Sequence, residues 1–374
     1  EAFIALKIKP RIGKLSGILR LFGERLIILG LQSAGIYPCQ HIALFHILSV
    51  TEKNFIEPAF DLRTHKRLWQ YDHQAGPKEV YCCGPVNRGV AIAGDKVFMA
   101  TLDARLVALD AKTGAVKWNI VTHPADSGYS HTSAPLIVGN KVIVGIAGGE
   151  YGIRGSVTAY DTGSGRQLWR FYTIPSPAEG GWWGKYAPAT PWGDKLPRDI
   201  AKEHADSAKY ADTWKIGGSP VWVTPAYDPE LGLIYFGTGN PSPSNNGAER
   251  PGDNLYTCSL LALNPDDGSI KWHFQFTPHD THDWDSNQVP ILIDADFMGK
   301  PRKMLMHANR NGFYYVLDRI NGQFLAGAQF AKQTWAKGLD EKGRPILIPN
   351  LDPTAEGVLV YPGLEGSTNW LSPS

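Results

Sequence analysis

The sequence predicts an all-β protein, a β-propeller whose four-stranded blades each carry a tryptophan. Three observations lead to this prediction. A phrase of about fifty residues recurs along the chain. The chain contains 40 glycines and 27 prolines, which favours many turns between short strands. It also contains 12 tryptophans, and large indoles can fill the gaps between neighbouring sheets.

Each copy of the repeat reads as short strands joined by turns. It ends with an acidic or amide residue, a turn that usually contains glycine, and a tryptophan. The segment 96–120 shows the whole phrase, KVFMATLDARLVALDAKTGAVKWNI. Less complete copies lie at 58–71, 156–171, 260–274 and 314–327. A single small sheet cannot bury both of its faces, so the units must stack on one another.

The acidic or amide anchors of the repeat indicate how many blades are present. They are spaced by about fifty residues, with one interval of about two periods, at Asp61, Asp110, Asp161, Asn264 and Asp318. We therefore expect about five to six blades. One copy is expected to be masked by the stretch at 176–220, which is rich in glycine, proline and tryptophan.

Composition and charge exclude several classes of protein. The formal net charge is +1 and no basic run is interleaved with aromatics, so nucleic acid is not an expected partner. No uncharged apolar stretch reaches about eighteen residues, so no membrane span is predicted. The motif C-x-x-C-H is absent from the sequence, so no c-type haem attachment site is expected.

The most specific local feature is YCCGPVNRG, in which Cys82 and Cys83 are adjacent. Neighbouring cysteines can bond only through a strained eight-membered ring. The alternative is two buried thiols, which chemistry alone favours.

The chain resembles the PQQ-dependent methanol/ethanol dehydrogenases, where PQQ is pyrroloquinoline quinone. The motifs that carry the resemblance are, in order, CCGPVNRG, AGGEYGIRGSVTAYD, VWVTPAYDPELGLIYFGTGNPSP, TPHDTHDWDSNQVP and HANRNGFYYVLDR. The resemblance implies a propeller of eight blades in the family, and so a chain without its C-terminal blades. It also implies that Cys82 and Cys83 form a ring-shaped disulfide against one face of the quinone.

The resemblance further implies which residues contact PQQ. Trp222 would lie on the face of the quinone opposite the disulfide, where an indole suits a flat ring system. Arg88 and Thr132 fall where the family contacts the carboxylates and carbonyls of PQQ. Arg310 matches a catalytic arginine at the quinone oxygens. Cationic and hydroxyl donors suit a ligand that carries three carboxylates.

A hard metal ion and a catalytic base are implied in the same way. Glu150, Asn240 and Asp283 match the family's metal ligands, and Asp283 also matches its base. A hard cation prefers oxygen ligands and can polarise a quinone carbonyl, while a carboxylate can take the proton of an alcohol. Without the resemblance, Asn240 reads as a turn residue and Glu150 as solvated. The His- and Asp-rich run at 279–282 lacks the clean spacing of a zinc site.

Asp285 suggests which metal is bound. Lanthanide-type members resemble this chain in carrying a second Asp two positions after the base, where calcium-type members usually have a small neutral residue. A trivalent cation tolerates one more carboxylate than a divalent ion of similar size. We therefore expect a lanthanide rather than Ca²⁺, with Asp285 as a fourth ligand. The alternative is that Asp285 points into solvent or caps a turn.

The predicted domain organisation has two parts. Residues 1–57 are expected to be an atypical N-terminal segment with no family match. Residues 58–374 are expected to be the quinoprotein propeller domain, without its C-terminal blades.

The implied function is oxidation of a small primary alcohol to the aldehyde, either by this chain or, if it is an inactive fragment, by a longer relative. The implied electron acceptor is a soluble cytochrome c or a similar protein, and the disulfide implies the periplasm. A homodimer is left open. Two alternatives stay open: a PQQ-dependent sugar or polyol dehydrogenase, and a non-catalytic propeller scaffold for outer-membrane protein assembly. Such a scaffold would not need the cysteine pair and the metal ligands together.

Overall fold

The computed structural model describes residues 42–44, 47–48, 54–75, 81–186, 195 and 198–371. In this part of the chain there are five four-stranded antiparallel sheets, followed by a sheet of two strands. The predicted all-β propeller class and the expected number of blades are therefore confirmed.

Each blade is built from strands that follow one another in the chain. Blade 1 contains β1 (Ile42–Leu44), β2 (Ile47–Leu48), β3 (Asn54–Asp61) and β4 (Arg67–Gln74). Blade 2 contains β5 (Val90–Ala93), β6 (Lys96–Ala100), β7 (Arg105–Asp110) and β8 (Val116–Val121). Blade 3 contains β9 (Leu136–Val138), β10 (Lys141–Gly145), β11 (Ser156–Asp161) and β12 (Gln167–Tyr172). Blade 4 contains β13 (Ala226–Asp228), β14 (Leu233–Gly237), β15 (Ser259–Leu263) and β16 (Ile270–Gln275). Blade 5 contains β17 (Ile291–Phe297), β18 (Lys300–Ala308), β19 (Phe313–Asp318) and β20 (Phe324–Gln329). Blade 6 contains β21 (Ala336–Leu339) and β22 (Pro345–Leu347).

The inner strands are apolar on both faces because each blade packs between two others. In β6, Val97 and Met99 belong to the core shared with blade 1, whereas Phe98 and Ala100 belong to the core shared with blade 3. Side chains alternate between the two faces of a strand. A strand that is buried on both faces therefore needs apolar residues at successive positions. This explains why strands such as KVFMA show no alternation of apolar and polar residues.

In blades 1 to 4 the repeated tryptophan lies against a glycine in the last turn of the following blade, whereas blade 5 has Phe324 against Gly343 in place of the predicted tryptophan. The pairs are Trp69 on Gly114, Trp118 on Gly165, Trp169 on Gly268 and Trp272 on Gly322. Three indoles also donate a hydrogen bond to that turn: Trp69 to Ala111 O, Trp118 to Thr162 O and Trp169 to Pro265 O. The prediction that the repeated tryptophan packs between neighbouring blades is therefore confirmed. Its indole packs on the glycine of the repeat in the following blade.

The prediction of a masked copy at 176–220 is wrong. Trp169 of blade 3 packs directly on Gly268 of blade 4, so these two blades are neighbours. The described residues between β12 and β13 contain short 3₁₀ turns and a single helix, α1 (Ile200–Asp206), but no further sheet. The long interval between anchors is therefore an insertion in the connection from blade 3 to blade 4.

Strand β3 runs across the predicted domain boundary between residues 57 and 58, and it pairs with β4 on both sides of that boundary. Residues 1–41 lie outside the described residues, so the separate N-terminal segment stays a prediction. Within the described residues, no helix is long and apolar enough to cross a membrane.

Candidate functional site

Cys82 and Cys83 form a disulfide in the loop that precedes β5. Cys83 has a left-handed backbone with φ of 64°, which is uncommon for a residue with a Cβ. Cys83 is exposed to solvent rather than buried in the core. The disulfide implied by the family resemblance is confirmed, and the alternative of two buried thiols is wrong.

Arg88, Thr132 and Trp222 lie together although they come from distant parts of the chain. The Arg88 guanidinium donates to Thr132 O at 3.1 Å and to Trp222 O at 3.3 Å, and it lies 4.9 Å from the Trp222 ring centroid. The hydroxyl of Thr132 donates to Trp222 O at 3.1 Å. Burial lowers the pKa of Arg88 to about 10, so it stays charged at neutral pH. Its Nε has no partner among the described residues and is free to bind an anion.

Asp285 links this group to the other predicted site residues. Its Oδ2 accepts the Trp222 indole N–H at 2.9 Å and the Arg310 guanidinium at 3.1 Å. Its Oδ1 accepts the backbone N–H of Asn240 at 2.5 Å. Asp285 is buried, so the alternative that it points into solvent is wrong. Burial raises its pKa, while the charge of Arg310 acts against that change.

Asn240 and Asp283 each hold a buried oxygen that is available to a ligand. Asn240 Oδ1 and Asp283 Oδ1 make no hydrogen bond to any part of the chain that the structure describes. Asp283 has φ of 62°, in a turn where the Asp280 carboxylate accepts the backbone N–H groups of His282 and Trp284. Burial, then repulsion by Asp285 and Asp280, raises the pKa of Asp283 to about 8.

Glu150 lies in a 3₁₀ turn (Gly149–Tyr151) that packs against Asn240. A methyl group at Gly149 would lie 2.8 Å from Asn240 Oδ1, so only glycine allows this approach. The Glu150 side chain is exposed, yet desolvation by the surrounding protein, followed by the charge of Asp285, raises its pKa. The structure thus places the Glu150 turn beside Asn240, and Asn240 beside Asp285.

These residues fit a hard cation. The donors are carboxylate and amide oxygens, and two of these oxygens are buried without partners. Among the described residues no three His, Cys, Asp or Glu side chains group closely enough to hold an ion, so the carboxylates of Glu150, Asp283 and Asp285 would have to move closer together, with the amide of Asn240, around a bound cation. The zinc alternative is not supported, because His279 bonds to Gly252 O and His282 bonds to Leu351 O.

One residue beside the site was not predicted from the sequence. Arg250 is fully buried and donates to backbone carbonyls of the two loops that carry Asn240 and Asp283. Its partners are backbone carbonyls, which every residue type has, so the sequence does not reveal these contacts. The sequence shows only an arginine between Gly- and Pro-rich turns.

Comparison with known proteins gives consistent matches. A family model described as "Glucose/ethanol/alcohol dehydrogenase, beta-propeller domain" matches residues 46–333, and so begins within the segment predicted to have no match. The chain is 44% identical over 322 residues to the quinohemoprotein alcohol dehydrogenase ADH IIB of Pseudomonas putida, covering 84% of this chain and 45% of that protein. It is 46% identical over 323 residues to the quinoprotein alcohol dehydrogenase PedH of Pseudomonas putida, covering 84% and 52%. Among solved structures, a europium-containing methanol dehydrogenase matches with a TM-score of 0.76 at 33% identity, covering 93% of this chain and 61% of that one. The chain therefore spans about half the length of the curated relatives it matches.

Proposed function

Because this chain belongs to the β-propeller family of PQQ-dependent glucose, ethanol and alcohol dehydrogenases, we propose that it oxidises a primary alcohol to the aldehyde, with PQQ as electron acceptor and a metal ion as Lewis acid. The observation that carries the proposal is the set of contacts around Asp285, whose buried carboxylate joins the half-buried Trp222 to Asn240 and Arg310. Both P. putida relatives are named alcohol dehydrogenases, which favours an alcohol over a sugar or polyol and over a non-catalytic scaffold.

PQQ would be held between the Cys82–Cys83 disulfide and the Trp222 indole. Arg88 and Arg310 each keep a buried Nε that makes no hydrogen bond within the described residues, so each can donate to an anionic oxygen. The hydroxyl of Thr132, which donates to Trp222 O, lies beside Arg88 and would have to rotate towards PQQ to add a neutral donor. When bound, PQQ supplies the acceptor for the two electrons of the alcohol.

Asp283 would receive the hydroxyl proton of the alcohol, because the positive charge of a bound metal ion would lower the pKa of this carboxyl and keep it ionised. Its Oδ1 has no hydrogen-bond partner in the described part of the chain, whereas both oxygens of Asp285 already accept N–H groups. Glu150, Asn240, Asp283 and Asp285 would hold the metal ion. A carboxylate beside a bound hydroxyl contributes general-base catalysis of about 10²- to 10⁴-fold.

A lanthanide is the proposed metal, ahead of Ca²⁺. Asp285 hydrogen-bonds to Asn240 and repels the carboxylates of both Asp283 and Glu150. A trivalent cation offsets three neighbouring carboxylates better than a divalent ion does. The europium content of one structural relative supports the same choice.

Reconstitution of this chain tests the proposal. Metal-free protein is mixed with PQQ and either CaCl₂ or LaCl₃. Binding is followed by PQQ absorbance and by quenching of tryptophan fluorescence, and turnover by reduction of an added dye with ethanol or glucose. We expect PQQ binding that depends on the metal, and oxidation of ethanol but not of glucose. We also expect higher activity with lanthanum than with calcium. Asp285→Ala should remove this preference, whereas the control Asp267→Ala, at an exposed turn, should keep it. Absence of PQQ binding with either metal overturns the function. Equal or better activity with calcium, unaffected by Asp285→Ala, overturns the choice of metal.

The periplasm is the proposed location, since disulfides persist in oxidising compartments. Protein isolated from cells in the presence of an alkylating agent should yield a tryptic peptide, residues 79–88, that is unlabelled before reduction and doubly labelled after it. Labelling of both cysteines without reduction contradicts this location.

A soluble cytochrome c or similar acceptor is proposed to take the electrons, which reduction of added cytochrome c would test. A homodimer stays a prediction, to be checked by sedimentation.

A further inference from the structure

Arg250 is a buried arginine whose hydrogen bonds go to neutral groups. It is fully inaccessible to solvent. Its Nε donates to Pro243 O at 2.8 Å and its Nη2 to Ser244 O at 2.8 Å and to Asp280 O. Its Nη1 donates to Asn254 Oδ1 at 2.8 Å. Burial lowers its pKa to about 10, so the side chain is charged at neutral pH and its charge is spread over carbonyl and amide dipoles.

The carbonyls that Arg250 binds belong to two loops of the proposed metal site. Pro243 and Ser244 come shortly after Asn240, and Asp280 comes shortly before Asp283. The planar guanidinium presents its N–H groups in a rigid fork, so it fixes the distance and angle between these two loops. Within the described residues, no other side chain donates to both, although the backbone N–H of Asn240 also joins the two loops directly by donating to Asp285 Oδ1.

The Asp283 turn and the backbone that carries Arg250 both have unusual geometry. Asp283 adopts φ of 62°, and its turn is closed by the Asp280 carboxylate accepting two backbone N–H groups. Asn254, at φ of 58°, donates from Nδ2 to Arg250 O at 2.7 Å and to Pro251 O at 3.1 Å, and so fixes the backbone of the arginine itself. The chain of contacts therefore runs from Asn254 through Arg250 to both ligand loops.

We propose that Arg250 is a positioning residue, which holds the Asn240 loop and the Asp283 loop at the separation that a metal ion requires. The inference rests on the proposed function, because it takes Asn240 and Asp283 as ligands. Groups that orient metal ligands typically change metal affinity by about 10- to 100-fold when they are altered. Arg250 acts on the ligands only through the backbone, so its replacement should alter the site without removing any ligand.

Terbium luminescence gives a readout that does not depend on activity. Tb³⁺ bound at the site can be excited through Trp222 and Trp284, which adjoin the proposed ligands. Titration of wild-type chain with Tb³⁺ gives the dissociation constant, and emission lifetimes in H₂O and D₂O count the waters on the ion. Arg250→Lys keeps the charge but loses the fork. We expect it to weaken Tb³⁺ binding by about 10- to 100-fold and to raise the number of bound waters.

Arg319→Lys is the matched control. Arg319 is also buried, and it donates to Asp228 at 2.7 Å and to Ile293 O at 3.0 Å, away from the site residues. Its replacement should lower the free energy of unfolding yet leave Tb³⁺ affinity and hydration unchanged. If Arg250→Lys does not fold, Asn254→Gly replaces it, since glycine accepts the positive φ and only the side-chain contacts to Arg250 and Pro251 are lost. That variant should weaken Tb³⁺ binding several-fold.

The outcomes separate the inference from the function on which it rests. If the wild-type chain binds no Tb³⁺, the metal site itself is wrong. If the wild type binds Tb³⁺ and a folded Arg250→Lys, or Asn254→Gly in its place, binds it equally well with the same hydration, the positioning role is wrong. An equal loss of affinity in Arg319→Lys also overturns it, because the effect would then follow from lower stability alone.

Discussion

Asp283 and Asp285 are two residues apart in the chain but differ in their hydrogen bonds. Asp285 accepts N–H groups on both carboxylate oxygens, from Trp222, Arg310 and Asn240. Asp283 Oδ1 accepts none from the described residues. A carboxylate whose two oxygens both accept hydrogen bonds holds its neighbours in place, whereas a carboxylate oxygen without a hydrogen-bond partner is available to accept a proton. This difference supports assigning proton transfer to Asp283 and a structural or ligand role to Asp285.

Asp283→Asn should therefore leave PQQ binding intact and remove alcohol oxidation. An amide keeps an oxygen for the metal ion but cannot take the hydroxyl proton, so turnover should fall by at least about 100-fold. The measurement is PQQ absorbance for binding and dye reduction for turnover, in the chain loaded with PQQ and metal. Asp267→Asn, in an exposed turn, is the control. Turnover in Asp283→Asn that equals the control would remove Asp283 from the mechanism.

At the level of secondary structure, the contact between each tryptophan and the glycine of the next blade can be tested with two glycines of blade 4. Gly268 has φ of 72°, and a methyl group there would lie 2.6 Å from the Trp169 ring. Gly232 has φ of 62° with no atom within 4 Å of the same methyl position. The two positions share the backbone cost of alanine and differ in the contact with the indole.

Gly232→Ala should lower the free energy of unfolding by about 1–2 kcal/mol, the cost of a left-handed alanine. Gly268→Ala should lower it by about 1–3 kcal/mol more, since the indole or the turn must move. Urea unfolding followed by circular dichroism measures both values. Equal effects of the two variants would show that the indole does not need a glycine beneath it.

For the whole molecule, buried neutral histidines predict how stability depends on pH. Burial lowers the pKa of His131 to about 4 and that of His307 to about 4, against about 6.5 in an unfolded chain. Between about pH 6.5 and pH 4 the unfolded chain therefore binds protons that the folded chain does not. The free energy of unfolding should fall as pH falls through this window, by up to about 3 kcal/mol for each histidine, and these groups add no dependence above it.

Urea unfolding at pH 7.5 and pH 5.0 measures this dependence. His307→Gln keeps a donor for Ser286 O but does not titrate, so it should reduce the loss of stability at pH 5.0. His204→Gln, at an exposed position, should leave the loss unchanged. The same pH dependence in His307→Gln and the wild type would contradict the prediction.

The blades were predictable because their signal is local and repeats. A tryptophan such as Trp118 stands at a fixed distance from its anchor Asp110, and each pair marks the end of one blade. The masked copy was a wrong prediction because spacing measures chain length only. An insertion and a degraded blade lengthen the interval between Asp161 and Asn264 equally, and only the contact of Trp169 with Gly268 separates them.

The site could be predicted in part. Adjacent cysteines and a second aspartate after Asp283 are visible in the sequence, and the family resemblance gave them candidate roles. Arg250 could not be found in this way, because its partners are carbonyl oxygens of Pro243, Ser244 and Asp280. Every residue type carries a backbone carbonyl, so only folding reveals which ones converge on a guanidinium.

The packing of each indole on the following blade also sets an order for synthesis of the chain. A ribosome completes Trp118 before Gly165 and completes Trp169 well before Gly268, so each newly made blade leaves its indole uncovered until the next turn has emerged. The insertion between blades 3 and 4 makes that delay longest for Trp169. A nascent chain paused between these two positions would present an exposed apolar ring, and a chaperone that binds such rings would find its longest opportunity there.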